Sequence, residues 1–140
     1  MNHRMIRYII GMFLRAEAAF MALPVFVCLC FGDFHDIPPF LYSIGLTLLA
    51  AVLLGVKKPE NDVVFARESF ISVSLGWILL SLFGALPFYL SGAIPNIADC
   101  FFETVSGFTT TGATILNTVE NLPKSILFWR AFTHWIGGMG

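Results

Sequence analysis

Apolar residues are gathered into four stretches along the chain, with polar connections between them. The first three stretches cover residues 5–31, 40–56 and 69–90, and the fourth begins at Ser125. A helix rises ~1.5 Å per residue, so about 20 apolar residues cross the ~30 Å hydrocarbon core of a bilayer. The pattern therefore predicts three full membrane spans and the start of a further one. Lys57-Lys58-Pro59 is expected to end the second span at Val56, and residues 57–68 form the most charged connection.

A shorter segment, DCFFETVSGFTTTGAT at 99–114, lies between the third and fourth stretches. Asn96 is placed to cap a helix, and Asp99 follows where an acid complements the positive helix end. A helix from Ile97 to Phe108 would be about 18 Å long, little more than half of the hydrocarbon core. It cannot span the bilayer, so it must either lie at the surface or dip in and return.

The polar face of this helix decides between those two arrangements. An interfacial helix usually carries Lys or Arg on its polar face, whereas this face carries Asp99, Glu103, Thr104 and Ser106. The residues that follow, 109–114, are poor helix formers around one glycine. Non-helical backbone at membrane depth is tolerated only inside protein or along a water-filled cavity. The segment is therefore predicted to be a re-entrant pore helix followed by a filter loop.

Such a loop has a definite chemistry. A potassium ion that leaves water needs several oxygens in place of its hydration shell, and rings of backbone carbonyls supply them. Gly112 can take a positive φ without steric penalty and so help to turn successive carbonyls toward one axis. Thr110 and Thr111 would present carbonyls just before it, at the negative end of the helix. The alternative interpretation is a buried turn between packed helices.

Composition supports a membrane protein. Of 140 residues, 57% are hydrophobic and 12% are charged, and the mean hydropathy is +0.81, whereas soluble domains carry about 25% charged residues. The net charge of −1 gives no argument for nucleic acid. The three cysteines are expected to pack as small apolar residues, and a metal site at Cys28-x-Cys30 or in the turn with Asp33, His35 and Asp36 is the weaker alternative.

Basic residues predict the orientation in the membrane. Five of them fall on one side of the three-span arrangement, namely Arg4, Arg7, Lys57, Lys58 and Arg67, and only Lys124 lies in the opposite loops. Positive residues favour the cytoplasmic side, so the N-terminus is expected there. Arg15 and Glu17 interrupt the first span, and both are expected to face other helices or the cytoplasmic boundary, with a role in an ion path as the alternative. Pro24 is expected to kink this span.

The stretch FFETVSGFTTTGATIL, followed by LPKSILFWRAFTHWIGGMG, resembles the first pore repeat of the TrkH-type potassium uptake subunits of the Trk/Ktr/HKT superfamily. The resemblance implies an N-terminal helix pair at 1–58 and a first M1–pore–M2 repeat at 69–140, with the second helix of the repeat incomplete. It implies four such repeats around one ion path. Thr110, Thr111, Gly112 and Ala113 then match filter positions, with backbone carbonyls as potassium ligands. Ala113 and Thr114 replace the Tyr-Gly of the potassium-channel pattern, which implies a less constrained filter.

The resemblance also implies a transporter of the bacterial inner membrane, and no catalytic role is expected. It implies a homodimer that lies in membrane lipid, and a cytosolic nucleotide-binding regulatory partner. The sequence contains one copy of the filter string, so this chain is expected to be a fragment that carries one filter strand of four and conducts nothing alone.

Two other function classes stay open at this point. An intramembrane serine hydrolase would need Ser106 close to His134 as its base, and a structural helix bundle would leave 109–114 buried. Arg130 is expected at the membrane interface or paired with Glu120 or Glu103. The glycines at 137, 138 and 140 are expected to permit close helix packing or a bend.

Overall fold

The computed structural model describes residues 2–55, 57–58, 60 and 63–139, and in these residues all regular structure is helical. The α-helices are α1 (His3–Phe20), α2 (Ala22–Phe31), α3 (Ile37–Leu54), α4 (Ala66–Gly84), α5 (Leu86–Leu90), α6 (Ile97–Phe108) and α7 (Lys124–Met139). Three helical stretches are long and apolar enough to cross a membrane. The expected all-α polytopic fold is confirmed. The predicted span end at Val56, its stop at Pro59 and the last glycine, Gly140, lie outside the described residues.

The first span is one apolar stretch, His3–Phe31, built from two helices. Proline has no N–H to donate to the carbonyl four residues earlier, and its ring clashes with that carbonyl. For Pro24 that carbonyl belongs to Phe20, where α1 ends, and Met21 separates the two helices. Pro24 was expected to kink one helix, and the structure instead shows two helices with a break one turn before the proline.

The turn between the first two spans is shorter than expected. The apolar stretches 5–31 and 40–56 leave a connection at 32–39, but a short 3-10 turn occupies Phe34–Asp36 and α3 already begins at Ile37. Pro38 and Pro39 lie in the first turn of α3, where the N–H groups have no partner inside the helix, so proline costs nothing there. The prolines thus start the helix rather than prolong the loop.

The third span joins α4 and α5, with a break at Ala85 just before Pro87. The helix begins three residues earlier than the predicted Ser69, because Glu68 caps its first turn. One carboxylate oxygen of Glu68 accepts a hydrogen bond from the backbone N of Phe65 at 3.3 Å, and the other accepts one from Asn2 at 2.5 Å. This acid therefore ties the start of α4 to the N-terminus of the described chain.

The spans pack so that α1 contacts both α3 and α4, α2 contacts α7, and α6 lies against α4 and α7. The largest buried side chains of the shared apolar core are Met21, Phe40, Phe88 and Trp129, which come from both the N-terminal helices and the later ones. Arg15 donates to the carbonyl of Gly55. It thereby joins α1 to the end of α3, as expected for a charge that faces another helix.

Large apolar side chains also cover the outside of the spans. Phe26, Leu53 and Phe70 remain 65%, 70% and 75% exposed, one on each span. Side chains of this kind on long apolar helices are suited to lipid or to other membrane helices rather than to water. The chain is therefore a multi-pass membrane protein.

Candidate functional site

The candidate site is built on α6 and the loop that follows it. The helix covers Ile97–Phe108, the range predicted from the sequence. The side-chain oxygen of Asn96 accepts a hydrogen bond from the backbone N of Ala98 at 3.1 Å, and Asp99 lies in the first turn. The predicted N-cap is confirmed. The twelve residues of α6 make a rod of about 18 Å, too short to cross the hydrocarbon core.

Glycines allow α6 to lie very close to α7. A Cβ added to Gly107 would come within 2.9 Å of the Cβ of Thr133. A Cβ added to Gly137 would clash with the carbonyl oxygen of Phe108 and lie 2.7 Å from its carbonyl carbon. Close packing was predicted for the terminal glycines, and it is confirmed for Gly137. Gly138 has more room, since a Cβ there would meet only Thr110 Cγ2, at 3.9 Å.

The C-terminus of α6 is closed by a Schellman motif. The backbone N of Thr110 donates to the carbonyl of Gly107 at 2.9 Å, and the N of Thr111 donates to that of Ser106 at 3.0 Å. This motif requires a left-handed residue just past the cap, a place usually taken by glycine. Thr110 takes it here, with φ of 55°. A β-branched residue in that region is rare and costs about 1–2 kcal/mol, so backbone strain is concentrated at the entrance to the loop.

The loop itself runs on as irregular backbone from Thr111 to Leu116. Gly112 has φ of 78°, as the sequence predicted, and no atom would meet a Cβ placed there within 4 Å. The residues at 109–115 are exposed on the described surface. Within the described structure this loop is therefore not a turn buried between packed helices.

The four predicted ligand residues differ in how their carbonyl oxygens are used. In the described structure, the oxygens of Thr110, Thr111 and Gly112 accept no hydrogen bond from protein. The oxygen of Ala113 accepts one from the hydroxyl of Ser106 at 2.5 Å. Three successive carbonyls are thus available to an outside ligand, while that of Ala113 is directed back to α6. Ala113 as a ligand stays a prediction, with this hydrogen bond competing against it.

A buried carboxylate holds the far end of the loop. Glu103 has a side chain only 1% exposed, and its oxygens accept hydrogen bonds from the hydroxyl of Thr114 at 3.0 and 3.1 Å and from the N of Ile115 at 3.3 Å. Arg130 of α7 pairs with it at 2.5 Å. Of the two acids proposed for Arg130 from the sequence, Glu103 is the one found. Helix α6, the loop and α7 therefore meet at one carboxylate.

The sequence did not predict that Thr114 and Ile115 of the loop would bond to Glu103. The signal for it was Glu103 itself, since an acid within an apolar helix needs partners to be buried. One partner, Arg130, could be proposed because it is a cation, whereas Thr114 and the N–H of Ile115 could not be singled out among many such groups. The hydrogen bond from Ser106 to Ala113 had no sequence signal beyond the polar face of α6.

Electrostatics at the loop favour a cation. The C-terminal end of a helix carries partial negative charge, and free carbonyls add to it. Residues 109–114 contain no basic side chain, and the nearby guanidinium of Arg130 is paired with Glu103. The surroundings of these backbone oxygens are therefore better suited to a cation than to an anion.

The geometry does not favour the serine hydrolase or the metal site that the sequence left open. The hydroxyl of Ser106 bonds to the carbonyl of Ala113, and Nδ1 of His134 lies 2.9 Å from that of Arg130. In the described residues these two side chains share no hydrogen bond, so the serine hydrolase interpretation gains no support. No group of three His, Cys, Asp or Glu residues is placed to hold a metal in the described residues, the surroundings of Cys28 and Asp36 included.

Comparison with known proteins finds a family model and several relatives that match this chain. The family model of TrkH, described as a cation transport protein, matches residues 40–140. An uncharacterised cation transporter of Methanocaldococcus jannaschii is 33% identical over 135 residues, which cover 96% of this chain and 28% of that protein. The Trk system potassium uptake protein TrkH of Halomonas elongata is 35% identical over 142 residues, and that of Escherichia coli K12 is 38% identical over 143. Both alignments cover 100% of this chain and 29% of the relative.

The chain therefore spans less than a third of the length of these curated relatives. Within that length the match runs through the spans, α6, the loop and α7. A family match over 40–140 and relatives above 30% identity agree with the three apolar spans. The chain belongs to the TrkH family of cation transport proteins.

Proposed function

We propose that this chain supplies one filter strand of a membrane pathway for potassium and other monovalent cations. The ligands are the backbone carbonyls of the predicted filter positions, with Thr110, Thr111 and Gly112 as the principal ones and Ala113 at their end. The observation that carries the proposal is the run of three carbonyls that accept no hydrogen bond in the described structure, on an exposed non-helical strand. A transporter is no enzyme in the chemical sense, and cation passage needs no catalytic residue.

The support around the strand suits this role. An ion pathway needs carbonyls whose positions do not collapse when the ion leaves. The strand is fixed at its start by the Schellman motif at Thr110 and at its end by the hydrogen bonds of Glu103 to Thr114 and Ile115. Between these points only Gly112 needs a positive φ that L side chains rarely adopt. We infer that α6 dips into the membrane, because the polar strand that follows it has no place against lipid.

One strand does not surround an ion. Carbonyl filters use four loops around an axis, and this chain contains one such segment. The remaining strands would come from further pore segments of the same assembly, with residues 1–58 as a helix pair beside the first M1–pore–M2 repeat at 69–140. On this proposal the 140 residues conduct nothing alone, and potassium flux through liposomes that contain only this chain would contradict it.

The relatives are named for potassium uptake by the Trk system, which supports potassium as the transported ion here. The excess of basic residues on one side supports a cytoplasmic N-terminus. The family resemblance supports the inner membrane as the location. A homodimer and a cytosolic nucleotide-binding regulatory partner are part of the same proposal, supported by the family resemblance.

Substitution of Gly112 tests the filter. In the full-length context, Gly112→Ser places a side chain at φ of 78°, which strains the strand and displaces its carbonyls. The expected result is impaired growth at limiting potassium or increased sodium entry. Uptake of both ions in cells that lack other potassium uptake systems measures it.

Gly92→Ser is the matched control. Gly92 has φ of 74° and no atom within 4 Å of an added Cβ, so the backbone strain is the same, but the residue lies outside the loop. It should leave uptake and selectivity unchanged. Equal effects of the two variants would show that strain alone matters, and unchanged transport in Gly112→Ser would end the proposal.

A further inference from the structure

Glu17 of α1 is buried without a partner. Its residue is 2% exposed, and neither carboxylate oxygen has a hydrogen-bond partner in the described structure. No other buried side-chain polar atom of the described residues is left in this state. Such a group inside a membrane span calls for a functional explanation, because the bilayer offers it no water.

The carboxyl lies where three helices meet. A Cβ added to Gly84 of α4 would lie 2.8 Å from Glu17 Oε1, 2.9 Å from Thr104 Cγ2 and 3.1 Å from Phe108 Cε2. Thr104 and Phe108 belong to the last turns of α6, and Phe108 is its final residue. The carboxyl is therefore packed against the end of the helix that leads into the filter strand.

The polar groups of these neighbours are already engaged. The hydroxyl of Thr104 donates to the carbonyl of Cys100 at 2.8 Å, and the carbonyl of Gly84 accepts from the indole N–H of Trp129 at 3.0 Å. Neither group forms a hydrogen bond with Glu17 in the described structure.

Charged and titratable groups on the surrounding helices do not bond to Glu17 in the described structure. On α1, Arg15 donates to Gly55. Glu103 pairs with Arg130, and His134 contacts the carbonyl of Arg130. The others on α4, α6 and α7 are Arg67, Glu68, Asp99, Cys100 and Lys124. In the described structure none of these groups forms a hydrogen bond or ion pair with Glu17.

An apolar cavity of about 170 Å³ borders the same place, and Phe13, Phe20, Phe108 and Ile136 contribute to its walls together with Glu17. Ionised carboxylates are strongly disfavoured in such surroundings without a cation or several donors. A neutral carboxylic acid avoids that penalty. A cavity of this volume has room for water.

We propose that Glu17 is an intramembrane proton-binding site, occupied in this conformation, whose proton release disfavours the packing of α6 against α1 and α4. On release the proton passes to water and the carboxylate that remains draws water into the cavity beside Phe108. The proton site itself is independent of ion passage, and only its effect on uptake rests on the proposed function.

Infrared spectroscopy of the purified protein in lipid tests the proton directly. The wild type should show the carbonyl stretch of a protonated carboxylic acid at neutral pH, shifted in deuterated buffer. Glu17→Gln should lose this band, whereas Glu120→Gln, a matched change at an exposed loop residue, should keep it. A band that Glu17→Gln leaves unchanged, or no band in the wild type, would overturn the proposal.

A second measurement follows stability. Glutamine mimics the neutral acid, so at acid pH the two proteins should unfold at similar temperatures. As the pH rises, the unfolded wild type gains an ionised carboxylate that the folded protein excludes, and its unfolding temperature should fall below that of Glu17→Gln. A difference that does not change with pH would contradict a proton held only in the folded state.

Potassium uptake tests whether proton release from Glu17 affects α6. Potassium uptake by the full-length wild type should decrease at alkaline pH, and Glu17→Gln should weaken that dependence while uptake at neutral pH stays unchanged. Identical pH profiles would reject the link. If Gly112→Ser shows that the loop is no filter, the infrared band still reports whether Glu17 holds its proton.

Discussion

Two of the four acidic residues that are buried in the described structure, Glu103 and Glu17, are held in opposite ways. Glu103 of α6 is 1% exposed and has a guanidinium, a hydroxyl and a backbone N–H around its oxygens. Glu17 of α1 is 2% exposed and has no partner in the described structure. Burial alone therefore does not fix what a carboxyl does. The number of donors around it decides whether it is a charged brace or a neutral acid.

The positions of the two acids agree with this difference. Glu103 joins α6 to the following loop at Thr114 and to α7 at Arg130, so it holds this loop against both helices. Glu17 lies on the other side of α6, against Gly84 and Phe108, where it joins nothing by hydrogen bonds. Helix α6 is thus braced on one side and packed against an unpartnered acid on the other.

The largest effect is expected from removal of the cation that Glu103 needs. Arg130→Met leaves a carboxylate buried without its charge partner, a change that typically costs about 3–5 kcal/mol of folding free energy. The free energy of unfolding, measured by detergent titration of the protein in mixed micelles, gives this cost.

The double variant Glu103→Met/Arg130→Met is the control. It removes both charges together, so part of the lost stability should return. If the single variant is no less stable than the double one, Glu103 does not depend on Arg130 and the contrast with Glu17 fails.

A smaller loss of stability is expected when Thr114, in the loop after α6, is changed. Thr114→Val keeps the shape of the side chain but removes the hydroxyl that donates to both oxygens of Glu103 and accepts from the N of Leu116 at 3.1 Å. Loss of a hydrogen bond to a charged group costs about 1–3 kcal/mol, and the exposure of Thr114 favours the lower value.

Thr118→Val is the matched control for that change, since Thr118 is exposed and its hydroxyl has no hydrogen bond in the described structure. It should be close to neutral in the same unfolding titration. Ion selectivity adds a second measurement, because a loosened strand should admit more sodium relative to potassium. Equal effects of the two variants would remove Thr114 from the brace around Glu103.

The brace shows where prediction from the sequence succeeds and where it stops. The bounds of α6 followed from Asn96 at its start and from the poor helix formers after Phe108, both local signals. The positive φ of Gly112 followed from the chemistry that a carbonyl strand requires. These features depend on a few neighbouring residues, and for that reason the pattern contained them.

Features set by tertiary contacts were not in the pattern. Thr110 takes the left-handed position usually given to glycine, because the loop after α6 must turn there to reach Glu103 and Ser106. Helix α3 begins at Ile37, before the apolar stretch at 40–56, because proline suits a first helical turn. Glu17 lacks a hydrogen-bond partner because of the groups that three separate helices place around it. Residues adjacent in sequence do not determine such an arrangement.

The smallest effect is expected at Glu17, and it separates the two acids most clearly. Glu17→Met replaces an unpartnered carboxyl with an apolar side chain of similar size, so it breaks no hydrogen bond and removes a polar group from an apolar site. Volume-conserving changes of this kind in a core usually cost less than about 1.5 kcal/mol, and replacement of a buried polar group can be stabilising. The free energy of unfolding should therefore change little or rise. Glu103→Met is the same substitution at equal burial, and it should lower the free energy of unfolding several times more. It leaves Arg130, the hydroxyl of Thr114 and the N–H of Ile115 without their acceptor. If the two variants prove equally destabilised, Glu17 must have a polar partner in the folded protein, and the difference between a charged brace and a neutral acid would disappear.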